Sequence, residues 1–238
     1  MEPLLPDRAA DAPAFVPPAV RPASRPSFFG AIGGDFQSFF STPATVRTLG
    51  LVGAGALLAS PWDAVNTRRA DTAWSDDAFG PGKVAGNFFA QLAAGGGTYL
   101  VGRVSGNERV SSLGHDLMRA QILSQTVVQA AKFATNRARP DGSNSHSLPS
   151  GHSASAFATA TVIQRHFGWK AGVPAYALAG YIGASRMAAN RHYLSDIILG
   201  AGIGIAAART VTIDIGDHDF AVGVSPTPGG AAVTFSRR

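Results

Sequence analysis

Cations, imidazoles and a carboxylate recur in three short islands of this chain. Lys132 precedes Arg139-Pro140 by seven residues; Pro149-Ser150-Gly151-His152 follows; Ser185-Arg186 then leads to His192 and Asp196. Together they supply three cations, two histidines and one carboxylate. A metal-free phosphoryl-transfer site needs that set, because such chemistry rests on positioning and on charge stabilisation across three equatorial oxygens.

Each island also has a plainer reading. On a continuous helix Lys132 and Arg139 would lie about 700° apart, nearly two full turns, and so on one face. Pro140 disfavours helix at the residue before it, which puts Arg139 where a helix ends; alone, the pair is also an ordinary basic helix end. Ser150 is a natural N-cap for a helix running on from Ala154. Such an N-terminus presents free N–H groups and the positive dipole end to an anion, with Gly151 permitting close approach. An ordinary capped helix with an exposed histidine would read the same. Arg186 ends an apolar run, a costly place for a charge that meets no anion. His192 and Asp196 are i and i+4, neighbours on a helix face, and a carboxylate bonded to one ring nitrogen makes the other a better nucleophile. Arg186 and His192 fall about 240° apart on one helix, so a break near Asn190 is required if both serve one site.

The spacing Lys-x6-Arg-Pro, Pro-Ser-Gly-His and Ser-Arg-x5-His-x3-Asp resembles the signature of the type 2 phosphatidic acid phosphatase (PAP2) and vanadium haloperoxidase superfamily. That resemblance implies His192 as the nucleophile forming a phosphohistidine, Asp196 as its orienting partner, and His152 as the acid and then base. It implies Lys132, Arg139, Arg186, Ser150 and Gly151 as the phosphate-binding set. No metal or cofactor is expected, although vanadate could occupy the same cradle as a phosphate mimic. The expected activity is a phosphatase acting on phosphomonoesters or diphosphates, either soluble or lipid-linked. The alternatives are a vanadium-dependent haloperoxidase, whose known members are larger, and a non-catalytic phospholipid-binding protein on the same scaffold.

The elements that must position these residues read as helices. Leu49–Ala59, Val84–Val104, His115–Ala134, His152–Phe167, Val173–Ala189 and Tyr193–Ala208 make an all-α bundle of about six helices, with Gly168 as a stop. Asn66 to Lys83 reads as a loop. Alternating residues at Phe220–Ser225 and Ala231–Phe235 flank a Pro/Gly turn and predict a β-hairpin. The domain reading is a disordered Pro/Ala-rich lead-in over 1–27, the helical domain over 28–210, and a tail over 211–238. His146 is expected to be solvated. His115, His166 and His218 stand at no metal-ligand spacing, and Asp217-His218-Asp219 reads as a polar turn.

The 238 residues are 45% hydrophobic and 15% charged, with a net charge of +5 and no cysteine. Disulfides, thiolate catalysis and Cys-ligated zinc are excluded. The positive balance favours phosphate esters and acidic membrane surfaces. No basic run interleaved with aromatics points to nucleic acid. The first residues carry no apolar core of a secretory signal peptide. The longest apolar runs approach but do not reach the ~20 residues of a membrane helix, whereas the resemblance implies a membrane-associated protein of a bacterial-type envelope with its site facing the periplasm. Embedded and soluble periplasmic readings both stand, and the oligomeric state is open.

Overall fold

The computed structural model of the protein describes residues 27–65, 81–212, 220–227 and 230–237. Seven long helices run through them: α1 Phe28–Ser41, α2 Pro43–Ala59, α3 Phe88–Val104, α4 Glu108–Thr135, α5 Gly151–Phe167, α6 Trp169–Ala188 and α7 Leu194–Val211. A 3₁₀ turn over Ser60–Trp62 continues α2, and a helical stretch over residues 81–85 precedes α3. The expected hairpin is present in the backbone as β1 Phe220–Thr227 and β2 Gly230–Arg237, antiparallel, with Thr227 opposite Gly230. The expected lead-in (1–27) lies outside the described residues up to 26, as do the expected loop (66–83) up to 80 and the polar turn at 217–219; residues 81–83, expected to end that loop, are helical instead.

Six helices match the expected six, with α4 starting at Glu108, earlier than its apolar pattern suggests. Asn107 caps it there, accepting from the Val110 N–H. The seventh, α1, is an addition. Three glycines (Gly30, Gly33 and Gly34) weaken its helix propensity by up to about 1 kcal/mol each. Tertiary contact outweighs that: Phe39 is fully buried in a cluster with Leu117, Leu123 and Val162.

Helices α5 and α7 cross at the centre, α4 packs against both, α2 covers α7, α6 covers α5, and α3 lies outside α4. The centre is built from alanines (Ala154, Ala158, Ala206, Ala207 and Ala208 among them) rather than from large side chains. Gly200 and Gly204 allow the closest approach. A Cβ at Gly200 would stand 2.3 Å from the Ser150 carbonyl oxygen, and one at Gly204 would stand 2.2 Å from that of Ala154. One face of α7 thus rests on the backbone of α5, the small-xxx-small mode of helix packing.

The outer surface is unusually apolar. Leu51, Leu57 and Leu58 on α2, Phe89, Leu100, Val101 and Val104 on α3, and Trp169, Val173 and Leu178 on α6 are all exposed. Two segments are long and apolar enough to cross a membrane: Pro43–Val65, with 11% of its apolar window buried, and Leu194–Val211, with 61% buried.

Candidate functional site

All three islands meet at one end of the bundle, where α4, α6 and α2 finish and α5 and α7 begin. A cleft of about 630 Å³ opens there, with Lys132, Arg139, Gly151, His152 and His192 on its wall. Its outer part is lined by Phe88, Phe89 and Ile122 on one hand and by Asn87, Gln125 and Gln129 on the other.

Lys132 lies in the last turn of α4. The helix stops at Thr135, and Asn136 takes a left-handed conformation (φ 45°) that turns the chain out. Arg139 therefore stands in the following loop and not on the α4 face. It reaches the cleft because the loop folds back on itself: the Arg139 N–H donates to Asn144 O (2.9 Å), and the Ser147 N–H donates to Arg137 O (2.9 Å). Lys132 Nζ donates to the His146 carbonyl at 2.5 Å. His146, expected to be solvated, is partly buried, its ring edge-on to the exposed Phe133.

Ser150 caps α5, its hydroxyl accepting from the Ser153 N–H. It is fully buried, and its own N–H donates to Asp196 O at 2.9 Å. Ser150 thus stands behind the cleft wall, while Gly151 and His152 form the wall. His152 Nε2 lies 3.1 Å from the Lys83 carbonyl oxygen.

Helix α6 ends at Ala188, and Asn190 (φ 55°) reverses the chain. The Arg191 and His192 N–H groups then both donate to the Arg186 carbonyl. This is the required break, and it folds His192 back beside Arg186. His192 precedes α7 rather than lying on it. Its Nδ1 is still 3.4 Å from Asp196 Oδ2, within ion-pair distance but off the hydrogen-bond axis. Asp196 Oδ2 also accepts from the Tyr193 N–H (2.9 Å) and from the Ser147 hydroxyl. The ring face away from Asp196 leaves Nε2 as the nitrogen available to the cleft.

Positive charge is in excess here. Burial, and then the neighbouring Arg139, push the Lys132 ammonium down to about 8. Burial followed by Arg139 and Arg191 pushes Arg186 down to about 10. Burial holds His192 below its ordinary range, with Lys132 and Arg139 adding to the effect and Asp196 opposing it. His152 is pushed down to about 4, chiefly by burial and then by Arg186. Both imidazoles are therefore neutral near pH 7. The Nε atoms of Arg139 and Arg186 are buried without a hydrogen-bond partner in the protein. A phosphate oxygen would meet that need, and so would any tetrahedral oxyanion. Among the described residues no group of three or more His, Asp or Glu side chains is arranged to hold a metal ion.

Sequence reasoning passed over Arg137 and Asp63. Arg137 Nη1 donates to Asp196 Oδ1 (2.8 Å) and Ser195 Oγ (2.7 Å), and Nη2 donates to Asp63 Oδ2 (2.8 Å). Nothing local marks either residue, since Asp63 lies 74 positions from Arg137. A single acid after the apolar run of α2 was the one available hint.

Comparison with known proteins bears on the same region. Residues 116–218 match the PAP2 superfamily profile. A lipid A 1-phosphatase of Porphyromonas gingivalis is 43% identical over 82 residues, 33% of this chain and 18% of the relative. A lipid A 4'-phosphatase of Helicobacter pylori is 30% identical over 108 residues, 41% of this chain and 54% of the relative. The chain thus spans little more than half of one curated relative and much less of the other. The crystal structure of LpxE from Aquifex aeolicus shares the fold, with a TM-score of 0.53 at 22% identity, over 66% of this chain and 95% of that one.

Proposed function

We propose, from the match of residues 116–218 to the PAP2 superfamily profile, that this chain is a phosphatase of phosphorylated lipids working through a phosphohistidine. The observation that carries the reading is the convergence of Lys132, Arg139, His152 and His192 on one cleft wall, with Asp196 behind His192. Lys132, Arg139, Arg186 and the Gly151 N–H hold the phosphoryl oxygens, and Ser150 fixes the helix start that presents that N–H.

His192 Nε2 attacks phosphorus, so that an N–P bond forms as the P–O bond to the leaving group breaks. His152 gives the leaving oxygen its proton. Water then attacks phosphorus, its proton passes to His152, the N–P bond breaks and inorganic phosphate departs. A histidine held near 4 is a poor acid reservoir at neutral pH. The charge of a bound phosphate offsets the cations around His152 and brings its proton affinity back towards the working range.

Membrane association is part of the same proposal. The exposed leucines of α2 and the apolar outer faces of α3 and α6 suit a lipid environment better than water. Among the described residues, Arg47, Arg103, Arg109, Lys170 and Arg209 are exposed at the bundle end remote from the cleft, against Lys83 and the Arg191 side chain at the cleft end. Exposed cations mark the cytoplasmic side of membrane proteins, which turns the cleft to the periplasm. The working unit is residues 28–210, and its substrate class is a phosphorylated membrane lipid of the lipid A or phosphatidic acid kind. The lipid A activity printed for the two curated relatives supports that choice.

The test is phosphate release in EDTA from a phosphorylated glycolipid, from phosphatidic acid micelles and from a soluble aryl phosphate. Release that vanishes in His192→Ala is the expected result. Folded wild-type protein inert towards all three would overturn the reading.

A further inference from the structure

The Arg137 guanidinium bridges two carboxylates. One of them, Asp196, faces His192; the other, Asp63, comes from the distant end of α2. Asp63 is buried and also takes the Ser195 N–H at 3.0 Å and the Ser195 hydroxyl at 2.5 Å. The Arg137 plane lies over the Tyr193 ring, its Cζ 4.3 Å from the centroid. Residues 193, 195 and 196, the start of α7, are therefore gripped from outside by one side chain that touches neither cleft nor substrate position.

We propose that Arg137, seated between Asp63 and Asp196, is a positioning residue that fixes the Asp196 carboxylate against His192 and moderates the charge His192 meets. The proposal rests on His192 being the nucleophile. Two consequences follow from elementary electrostatics. Asp196 Oδ1 is taken up by Arg137, which leaves Oδ2 to face the imidazole. Part of the carboxylate charge is also neutralised, so the imidazole is less readily protonated and stays nucleophilic. His192 is faced by Asp196 from α7, by Lys132 from α4, by Arg139 from the loop before α5 and by His152 from α5, and it lies beside Arg186 at the end of α6. Of these groups, Asp196 alone stabilises the imidazolium, which gives its partner leverage. Asp63 works the other way: it shares the Arg137 charge and so leaves Asp196 more of its own.

Substitutions at Arg137 and at Asp63 are therefore expected to have opposite effects. In Arg137→Gln the acid limb of kcat/KM against pH moves to higher pH, because the freed Asp196 charge stabilises the imidazolium. In Asp63→Asn the limb moves to lower pH, because Arg137 gives its whole charge to Asp196. At the pH optimum, Arg137→Gln lowers kcat about 10- to 100-fold with KM within about threefold, the size of loss seen when outer partners of a catalytic group are removed. Arg137→Lys, which keeps the charge but not the two-pronged geometry, recovers the pH limb and not the full kcat.

The decisive measurement is a titration of His192 by imidazole NMR in full-length wild type, Arg137→Gln, Arg137→Lys and Asp63→Asn, with His192→Ala for assignment. Shifts of opposite sign in Arg137→Gln and Asp63→Asn, with Arg137→Lys unshifted, support the proposal. An unmoved His192, or equal shifts of one sign, overturns it. Should wild-type protein hydrolyse nothing, the phosphatase reading falls on the kinetic arm, while the NMR arm still decides whether Arg137 governs His192.

Discussion

Two buried charge clusters sit at opposite ends of α4 and α5, and they are composed differently. At the cleft end Lys132, Arg139 and Arg186 surround two neutral histidines. At the far end Asp116 accepts from Arg119 (3.1 Å) and His166 (3.0 Å) and lies 3.5 Å from His115. Arg119 also grips Asp35 of α1 through both Nε and Nη2. Each carboxylate there has side-chain hydrogen-bond donors of its own, whereas at the cleft cations outnumber carboxylates. Burying a charge is costly anywhere, and a matched cluster offsets the cost with its own partners. An unmatched one leaves the cost standing until an anion arrives. The first kind holds a fold together and the second kind binds a ligand.

That contrast can be broken from either side. The largest effect is expected at the cleft: Arg186→Ala or Lys132→Met lowers kcat/KM for phosphate release by about 10²- to 10³-fold. The same variants keep or raise the thermal midpoint, because a destabilising charge has gone. A fall in midpoint matching the loss of activity would erase the distinction between the two ends. Next comes Asp116→Asn, which takes the carboxylate from His166 and one of two carboxylates from Arg119, Asp35 remaining to it. It is expected to lower unfolding stability by about 3–5 kcal/mol while leaving kcat within about twofold, measured by denaturant unfolding and by steady-state assay on one preparation.

A smaller effect is the response to orthovanadate, a phosphate mimic. It raises the wild-type midpoint by mass action, does so equally in Asp116→Asn, and fails to do so in Lys132→Met. The smallest is a pH slope. His152 binds its proton less well folded (about 4) than unfolded (6.5), so its stabilising share is complete above about pH 6.5 and drains away as pH falls towards 4. The Asp116 carboxylate is held below its ordinary 3.8, so its share persists to lower pH and is lost only beneath that value. His152→Gln should make the fall of the midpoint between pH 6.5 and 4 shallower, with the share of His192 remaining, and leave the drop below 4 in place.

Residues that act through their own backbone were legible. Ser150 as a cap, Gly168 as a stop and the break at Asn190 are local requirements that neighbouring residues express. The four-residue spacing of Gly200 and Gly204 names no partner, and only the structure shows it to be the α5 backbone at Ser150 and Ala154. What stayed hidden depends on contacts across the fold. Arg137 looks like one more basic residue of its motif until Asp63 arrives from 74 residues away. His166 and Asp116 carry no sign of each other, and α1 is disguised by its glycines until Phe39 is seen in the core. The position of Arg139 was half legible: Pro140 announced the end of helix, but the fold-back that returns the side chain to the cleft depends on Asn144 and Ser147.

The crossing of α5 and α7 ties the reaction to the thickness of a glycine. His152 rides on one of these helices and His192 stands at the threshold of the other, with no covalent link nearer than the whole α6 excursion. Their separation is set where Gly200 stops against the Ser150 carbonyl. That contact behaves as a mechanical gauge block: it converts the tolerance of helix packing into the tolerance of the spacing between two imidazoles. A methyl group added at Gly200 touches neither imidazole, yet it wedges the Ser150 turn away from Asp196 and widens the gap between His152 and His192.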